Sequence, residues 1–268
     1  MTDIPSEVMN RKGARKAEDI PAQVLDLLQA GIIETVNLTE WLATDQLEVL
    51  KMVLSELGQD SRFAEFEAAV SAQKKPTANS NTKVIGHHFG TRFSNEQVFK
   101  HLREHASDIV RCWACWAEGV RAQEVPTLLK TMKPYAADTH FGVREVVIFA
   151  SKDQMIAELE TSVGILTEWT ASEDENVRRY AVESLRPIGV WTKKIEAFQV
   201  DPSLGLSLLE PLKSDPSKYV QNSVANWLND ASKSQPDWVQ SVCDTWSKHS
   251  NSKETAYIVK RALRTINK

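Results

Sequence analysis

Apolar residues recur along this chain at helical spacing, and one short motif returns at long intervals. The motif is a valine followed by a polar residue, with an apolar residue four positions after the valine. A spacing of four places both apolar side chains on one face of a helix. Successive valines of the motif are 33, 34, 43 and 39 residues apart, and they are Val110, Val143, Val177, Val220 and Val259.

A period of this length is typical of helix pairs that are each too small to bury their own apolar face. Stacked pairs share a core that continues from one pair to the next. No segment alternates apolar and polar residues clearly enough to predict a strand. Prolines fall between the apolar segments, where a connection or a first turn tolerates them. The predicted fold is therefore all-α, a HEAT-like repeat solenoid of stacked helix pairs.

A region of different character precedes the repeats. Residues 1–70 contain helical patterns of leucine and valine, whereas Ser71–Lys83 is polar, contains a proline and has no apolar residue larger than alanine. Such a segment is typical of a linker or an exposed loop. We therefore expect an N-terminal helical region with a linker over residues 1–83 and a HEAT-like repeat domain over residues 84–268.

The sequence also indicates the cellular compartment in which the protein is expected. No apolar run approaches the roughly 18 residues that cross a bilayer, and the first residues lack the basic and apolar order of a secretory signal. Three cysteines are an odd number, which does not indicate a disulfide framework. We expect a protein of the reducing cytoplasm that does not bind a membrane.

Charge is distributed unevenly. The net charge is -4, but residues 176–268 hold 14 Lys and Arg against 9 Asp and Glu, while residues 1–175 hold 18 against 27. A local positive patch can attract a polyanion, because association depends on the field within about 10 Å and not on the total charge. The alternative is chance variation in charge among solvated helix faces.

Two histidines and two cysteines form a nominal set of zinc ligands, namely His101, His105, Cys112 and Cys115. The cysteines lie in the apolar run of a repeat helix, where small buried thiols are common, and the order of ligands is unlike that of a zinc finger. The pair within His87–Gly90 is a second polar candidate, and solvated loop histidines are the simpler interpretation. We predict no metal site and no cofactor.

Motifs of several enzyme classes are absent from the sequence. It has no Gly-rich phosphate loop, no Gly-x-Ser-x-Gly elbow and no His-Glu-x-x-His helix. Nucleotide hydrolysis, esterase chemistry and zinc-protease chemistry therefore have no support.

Two polar clusters within the repeats carry the most specific pattern of the chain. The first is Val-Arg-Arg-x-Ala-x-Glu-x-x-Arg-Pro-x-x-x-Trp over residues 177–191, and the second is Asp-Pro-Ser-x-Tyr-Val-x-x-Ser-Val-Ala-Asn-x-Leu-Asn-Asp over residues 215–230. In these motifs the chain resembles the AlkC type of DNA alkylation repair glycosylase, a branch of the HEAT-like family that also includes the AlkD type. The resemblance covers residues 174–233 well and the remainder mainly by architecture.

The resemblance implies excision of a cationic N3-alkylated base, of the 3-methyladenine or 3-methylcytosine type, by hydrolysis of the N-glycosidic bond. A cationic base is already a good leaving group, so the protein has to stabilise the developing oxocarbenium sugar and position water. The resemblance implies this role for Glu183 and Asp230, and it implies packing of Trp191 against the nucleotide. From the residues alone, Glu183 could neutralise an arginine, Asp230 could cap a helix and Trp191 could belong to the core.

One position departs from the AlkC pattern. His140 stands where AlkC-type proteins carry a glutamate, and a neutral histidine can also orient water. We therefore include His140 among the predicted catalytic residues.

The predicted partner is double-stranded DNA that contains alkylated bases, bound by a monomer. Basic side chains near the two clusters are expected to contact DNA phosphates, a role that needs charge but no base reading. These residues are Arg178, Arg179, Arg186, Lys218 and Lys233.

A second functional class is a non-catalytic HEAT-like module that binds DNA or serves as a protein scaffold. The arrangement of the acids separates the two classes. The enzyme predicts that Glu183, Trp191 and Asp230 meet in one basic cleft, whereas the scaffold does not require it.

Overall fold

The computed structural model describes residues 4–189 and 192–268. Within these ranges the chain forms α-helices and short 3₁₀ turns and contains no strand. The all-α class predicted from the periodicity is therefore confirmed. The chain divides into two compact units, Met1–Arg121 with His140–Val146 and Ala122–Thr139 with Val147–Lys268. We call them the N-terminal unit and the C-terminal unit.

The helices of the N-terminal unit are α1 (Ser6–Met9), α2 (Ala22–Gln29), α3 (Leu38–Ala43), α4 (Gln46–Glu56), α5 (Phe63–Ser71), α6 (Ala78–Arg92), α7 (Glu96–Arg103) and α8 (Asp108–Arg121). The C-terminal unit follows with α9 (Val125–Ala136), and α10 (Phe141–Ala157) has residues in both units. The remaining helices are α11 (Leu159–Trp169), α12 (Glu175–Glu183), α13 (Glu196–Val200), α14 (Leu206–Leu209), α15 (Lys218–Ala231), α16 (Pro236–His249) and α17 (Lys253–Ala262).

The repeated valines occupy the core, as their spacing predicts. Val110, Val143 and Val220 are fully buried, Val177 is nearly so, and Val259 is half-buried. They lie on α8, α10, α15, α12 and α17 in that order, so the motif marks one helix of each repeat.

The polar segment before the repeats is shorter than predicted. Helix α6 begins at Ala78, because the Thr77 hydroxyl accepts the backbone N–H of Ser80 while the Ser80 hydroxyl accepts that of Thr77. This reciprocal cap starts a helix inside Ser71–Lys83. The loop prediction is therefore wrong for residues 78–83, and the domain boundary at residue 83 stays a prediction.

Two glycines allow α6 and α8 to pack at very short distance. A Cβ atom at Gly86 would lie 2.5 Å from the carbonyl oxygen of Trp113, and one at Gly90 would lie 2.4 Å from that of Ala117. Both positions are on the face of α6 that touches the α8 backbone. Any side chain there would separate the helices.

Helices α12, α15 and α17 pack against one another in the C-terminal unit. Asp174, Ser217 and Ser252 cap their starts, and each side chain accepts a backbone N–H of the first turn. Trp227, fully buried on α15, donates its indole N–H to the carbonyl oxygen of Leu185 at 2.9 Å. These contacts align successive repeats.

Among the described residues, no helix is both long and apolar enough for a membrane span.

Candidate functional site

One face of the C-terminal unit carries polar and aromatic residues from three neighbouring helices. On each helix these residues are spaced by about one turn, so they share a side. We call this surface the polar face. Its members are Arg179 and Glu183 on α12, Tyr219, Asn222, Asn226 and Asp230 on α15, and Tyr257 and Arg261 on α17.

Side chains of the polar face contact one another across the helix boundaries. The Arg179 guanidinium lies over the Tyr219 ring, 4.3 Å from its centroid. The Tyr257 hydroxyl donates to Asn222 Oδ1 at 2.8 Å, and Arg264 Nη2 donates to Asn226 Oδ1 at 3.0 Å. The surface is thus continuous over α12, α15 and α17.

Two carboxylates of the polar face bind the same guanidinium. Arg186, just after α12, donates from Nη1 to Glu183 Oε1 at 2.7 Å and from Nε to Asp230 Oδ2 at 2.9 Å. Glu183 and Asp230 are 47 positions apart in the sequence, so the stacking of α12 on α15 brings them together. A single cation therefore fixes the positions of both acids.

The acids are largely withdrawn from water. Asp230 is 3% exposed, and only 14% of the Glu183 side chain is exposed. Burial by itself would raise the pKa of Glu183, but Arg186, Arg179 and a hydrogen bond from Ser223 lower it below the usual range. Glu183 is therefore a carboxylate at neutral pH and has no proton to give.

A lysine that the sequence analysis did not single out lies beside these acids. Lys152 on α10 is 2% exposed, and its Nζ donates to the carbonyl oxygen of Arg186 at 3.1 Å. Burial, together with Arg186, lowers the pKa of Lys152 from 10.5 to about 8, against the opposing effect of Glu183 and Asp230. The signal available in the sequence was its helical spacing from the apolar residues Ile148 and Met155, both of which are buried.

Three of the five predicted phosphate contacts are engaged inside the protein. Arg178 makes a bidentate pair with Asp215, with Nε at 2.7 Å from Oδ2 and Nη2 at 3.1 Å from Oδ1. Arg179 is 7% exposed and stacks on Tyr219, while Arg186 holds the two acids. These guanidinium groups have internal partners, and their contacts with DNA phosphates stay a prediction.

Two of the predicted phosphate contacts do reach solvent. Lys218 at the start of α15 is exposed, and the Lys233 side chain is 46% exposed although its Nζ lies 3.3 Å from Asp230 Oδ1. Exposed cations that the sequence analysis did not name include Lys253, Lys260 and Arg264.

His140 is a buried residue of the N-terminal unit, whereas Glu183 and Asp230 belong to the C-terminal unit. Its Nε2 donates to the carbonyl oxygen of Thr35 at 2.6 Å, and its Nδ1 accepts the backbone N–H of Gly142 at 3.2 Å. Both ring nitrogens are thus used in holding local structure. The catalytic role of His140 stays a prediction.

The nominal zinc ligands divide into separate environments. Cys112 and Cys115 are fully buried within α8. His101 and His105 share Glu56 Oε2, at 2.9 and 3.1 Å from their Nε2 atoms. Nδ1 of His105 accepts the backbone N–H of Ser107 at 3.0 Å, so in a neutral ring Nε2 carries the proton and donates to Glu56.

Trp191, predicted to contact the nucleotide, lies outside the described residues. The other two members of the predicted trio, Glu183 and Asp230, meet at Arg186. The clustering of two acids is what the enzyme class predicts. The alternative that Glu183 neutralises an arginine agrees with its pairing with Arg186, whereas the sequence analysis missed that Asp230 binds the same guanidinium.

Comparison with known proteins gives a family that part of this chain matches. Residues 148–266 match the family described as DNA alkylation repair enzyme. The protein YhaZ of Bacillus subtilis is 37% identical over 153 residues, which cover 57% of this chain and 38% of YhaZ. The matched part of this chain therefore spans well under half the length of that relative.

Solved structures with a similar fold include the alkylpurine DNA glycosylase AlkC of Pseudomonas fluorescens, bound to DNA with an abasic site analog. It superimposes with a TM-score of 0.68 at 20% identity, covering 96% of this chain and 66% of AlkC. AlkD2 of Streptococcus mutans gives a TM-score of 0.59 at 24% identity, covering 75% of this chain and 95% of AlkD2. At these identities the likeness shows a shared HEAT-like fold.

Proposed function

We propose that this chain, in which residues 148–266 belong to the family of DNA alkylation repair enzymes, is a DNA N-glycosylase. It excises cationic N3-alkylated bases of the 3-methyladenine or 3-methylcytosine type by hydrolysis of the N-glycosidic bond. The observation that carries the proposal is the meeting of Glu183 and Asp230 on one guanidinium at the polar face.

The charge of the site suits a cationic leaving group. When the glycosidic bond of an N3-alkylated base breaks, the base departs neutral and the positive charge moves to the sugar. No general acid is therefore required, and a carboxylate close to the sugar stabilises the oxocarbenium ion. The lowered pKa of Glu183 keeps it in the charged form that this role demands.

The roles of the two acids follow from their contacts. Glu183 also accepts a hydrogen bond from Ser223, so its carboxylate is oriented from two sides. Asp230 receives Arg186 on Oδ2 and Lys233 on Oδ1. In the proposed reaction one carboxylate faces the sugar while the other orients the attacking water, and the hydrogen bonds from Arg186 hold both carboxylates in position.

DNA would bind along the polar face. Lys218 and Arg264 are exposed cations at opposite ends of the stacked helices, and Tyr219 and Tyr257 add aromatic surface between them. Such contacts position a phosphate backbone without reading bases. Selectivity then comes from the charge of the damaged base.

The test is base release from duplex DNA that carries 3-methyladenine, with uracil-containing DNA as the neutral-base comparison. We expect release of 3-methyladenine and retention of uracil. Asp230→Asn and Glu183→Gln should each slow release by about 100-fold or more, because each removes charge that the transition state requires. Circular dichroism and thermal unfolding verify that the variants fold.

Asp215→Asn is the matched control. It also breaks a buried Asp–Arg pair of the C-terminal unit, but Asp215 holds Arg178 and is not on the polar face. Activity per folded molecule should stay close to that of the unmodified protein. If the protein binds methylated duplex yet releases no base, it is a binding module and the glycosylase proposal is wrong.

A further inference from the structure

Lys152 has no part in the proposed reaction. Its side chain is almost fully buried on α10, and among the described residues its ammonium donates one hydrogen bond, to the carbonyl oxygen of Arg186. Burying an ammonium group with incomplete hydrogen bonding is costly. A methionine would fill a similar volume without that cost. The lysine therefore needs an explanation other than packing.

The position of the carbonyl oxygen that accepts the hydrogen bond from Lys152 provides this explanation. Arg186 is the residue whose guanidinium binds Glu183 and Asp230. Lys152 holds the main chain of this same residue, at a distance of 3.1 Å. A contact from α10 thus reaches the acids of α12 and α15 through one intermediate residue.

Residues 184–189, which follow α12 directly, are not part of a helix. Two of their carbonyl groups are held by neutral donors, since Trp227 Nε1 binds Leu185 O at 2.9 Å and the backbone N–H of Ile195 binds Pro187 O at 3.0 Å. Between them, Arg186 O is held by the charged donor Lys152. Of these three contacts, the one with a charged donor is therefore at Arg186. This is the residue whose guanidinium binds both acids.

We propose that Lys152 is a positioning residue of the reaction site, which fixes the main chain at Arg186 and thereby keeps Glu183 and Asp230 on one guanidinium. This inference rests on the proposed glycosylase function for its kinetic consequence. Its structural part, the ordering of Arg186 by Lys152, is independent of that function.

The kinetic test compares Lys152→Met with Lys130→Met, the same chemical change at an exposed lysine of α9. Single-turnover release of 3-methyladenine gives the rate, and fluorescence anisotropy gives the dissociation constant for DNA. For Lys152→Met we expect a rate reduced at least tenfold with DNA affinity within twofold and an unfolding temperature no lower than that of the unmodified protein. Lys130→Met should change none of the three.

The structural test needs no activity. In ¹H–¹⁵N spectra the Arg186 Nε–H, bonded to Asp230, should exchange slowly with water in the unmodified protein and rapidly in Lys152→Met. Lys152→Gln, whose side chain is one atom too short for the contact with Arg186 O, should behave like Lys152→Met and serves if the latter does not fold.

The outcomes separate the two proposals. An unmodified protein that releases no base contradicts the glycosylase, while a change in Arg186 exchange still supports Lys152 as its anchor. An unchanged Arg186 signal overturns the positioning role. Two kinetic results would also overturn the positioning role. One is a Lys152→Met variant that releases base at the original rate, and the other is a variant that loses DNA affinity while it keeps that rate.

Discussion

Charged side chains buried in the C-terminal unit are tolerated because each is matched by a specific partner. Arg186 is bound by two acids, and the Arg178 guanidinium is bound by Asp215. Lys152 is the exception, since its ammonium has a carbonyl oxygen and no direct carboxylate. Removing one partner of a buried ion pair leaves an uncompensated charge, which costs more than the pair contributes. Lys152 should behave in the opposite way.

Lys152→Met is predicted to stabilise the protein at neutral pH. The folded protein releases the Lys152 proton near pH 8, whereas the unfolded chain keeps it up to about pH 10.5, so folding is penalised below pH 8 and less so as the pH rises to 10.5. The penalty corresponds to about 3 kcal/mol, from which the lost hydrogen bond subtracts about 1. Urea denaturation should show the variant more stable by about 2 kcal/mol at pH 7, with the difference shrinking as the pH rises from 8 and reversing sign before about pH 10.5, where only the lost hydrogen bond remains. A constant difference across this range would contradict the prediction.

At the scale of the helices, the close contact between α6 and α8 depends on two glycines, which have no side chain. Gly86 and Gly90 are four apart and lie against the backbone of α8 at Trp113 and Ala117. The histidines between them are partly buried, since His87 lies near the Trp116 ring and His88 packs edge-on against Phe66. The stretch that resembled a polar site is therefore a packing motif.

Gly86→Ala is predicted to lower the free energy of unfolding by about 2 kcal/mol or more, because the added methyl group has no space and the backbone of α8 would have to move. The matched control is Gly164→Ala in α11, where a Cβ atom would meet nothing within 4 Å. That change should stabilise the protein by roughly 0.5–1 kcal/mol, since alanine is the better helix former. Chemical denaturation of both variants measures the difference, and equal effects would refute the steric argument.

At the scale of the whole molecule, the proposed binding of DNA depends more on the positive excess of residues 176–268 than on the net charge of -4. The exposed cations of the C-terminal unit belong to the starts and ends of successive repeat helices, such as Lys218, Lys253 and Arg264. Several weak phosphate contacts from stacked repeats sum to a useful affinity that depends steeply on salt.

Lys218→Gln is predicted to weaken DNA binding and to reduce the slope of the logarithm of affinity against the logarithm of salt concentration by about 1. Methylated and unmodified duplexes should be affected equally, because a phosphate contact reads no base. Lys130→Gln is the control and should leave the slope unchanged. Titrations between about 50 and 200 mM salt provide the measurement, and an unaltered slope for Lys218→Gln would remove this residue from the DNA interface.

Local periodicity was sufficient to predict the all-α class, since the geometry of a helix determines which positions four apart share a face. Four of the five valines that recur every 33 to 43 residues are buried in the core. The two motifs of residues 177–191 and 215–230 pointed to the alkylation repair family that residues 148–266 match. The structure brings the predicted acids Glu183 and Asp230 together on Arg186, and their catalytic role stays a prediction.

The partners of charged residues depended on stacking, which no local pattern encodes. Arg178 and Arg179 are adjacent, yet one binds Asp215, 37 positions on, and the other stacks on Tyr219. Arg186 binds Asp230 from 44 positions away, and Lys152 reaches Arg186 over 34. A turn of about 100° per residue points neighbouring side chains in different directions, so the roles of these cations became visible only when the repeats were assembled.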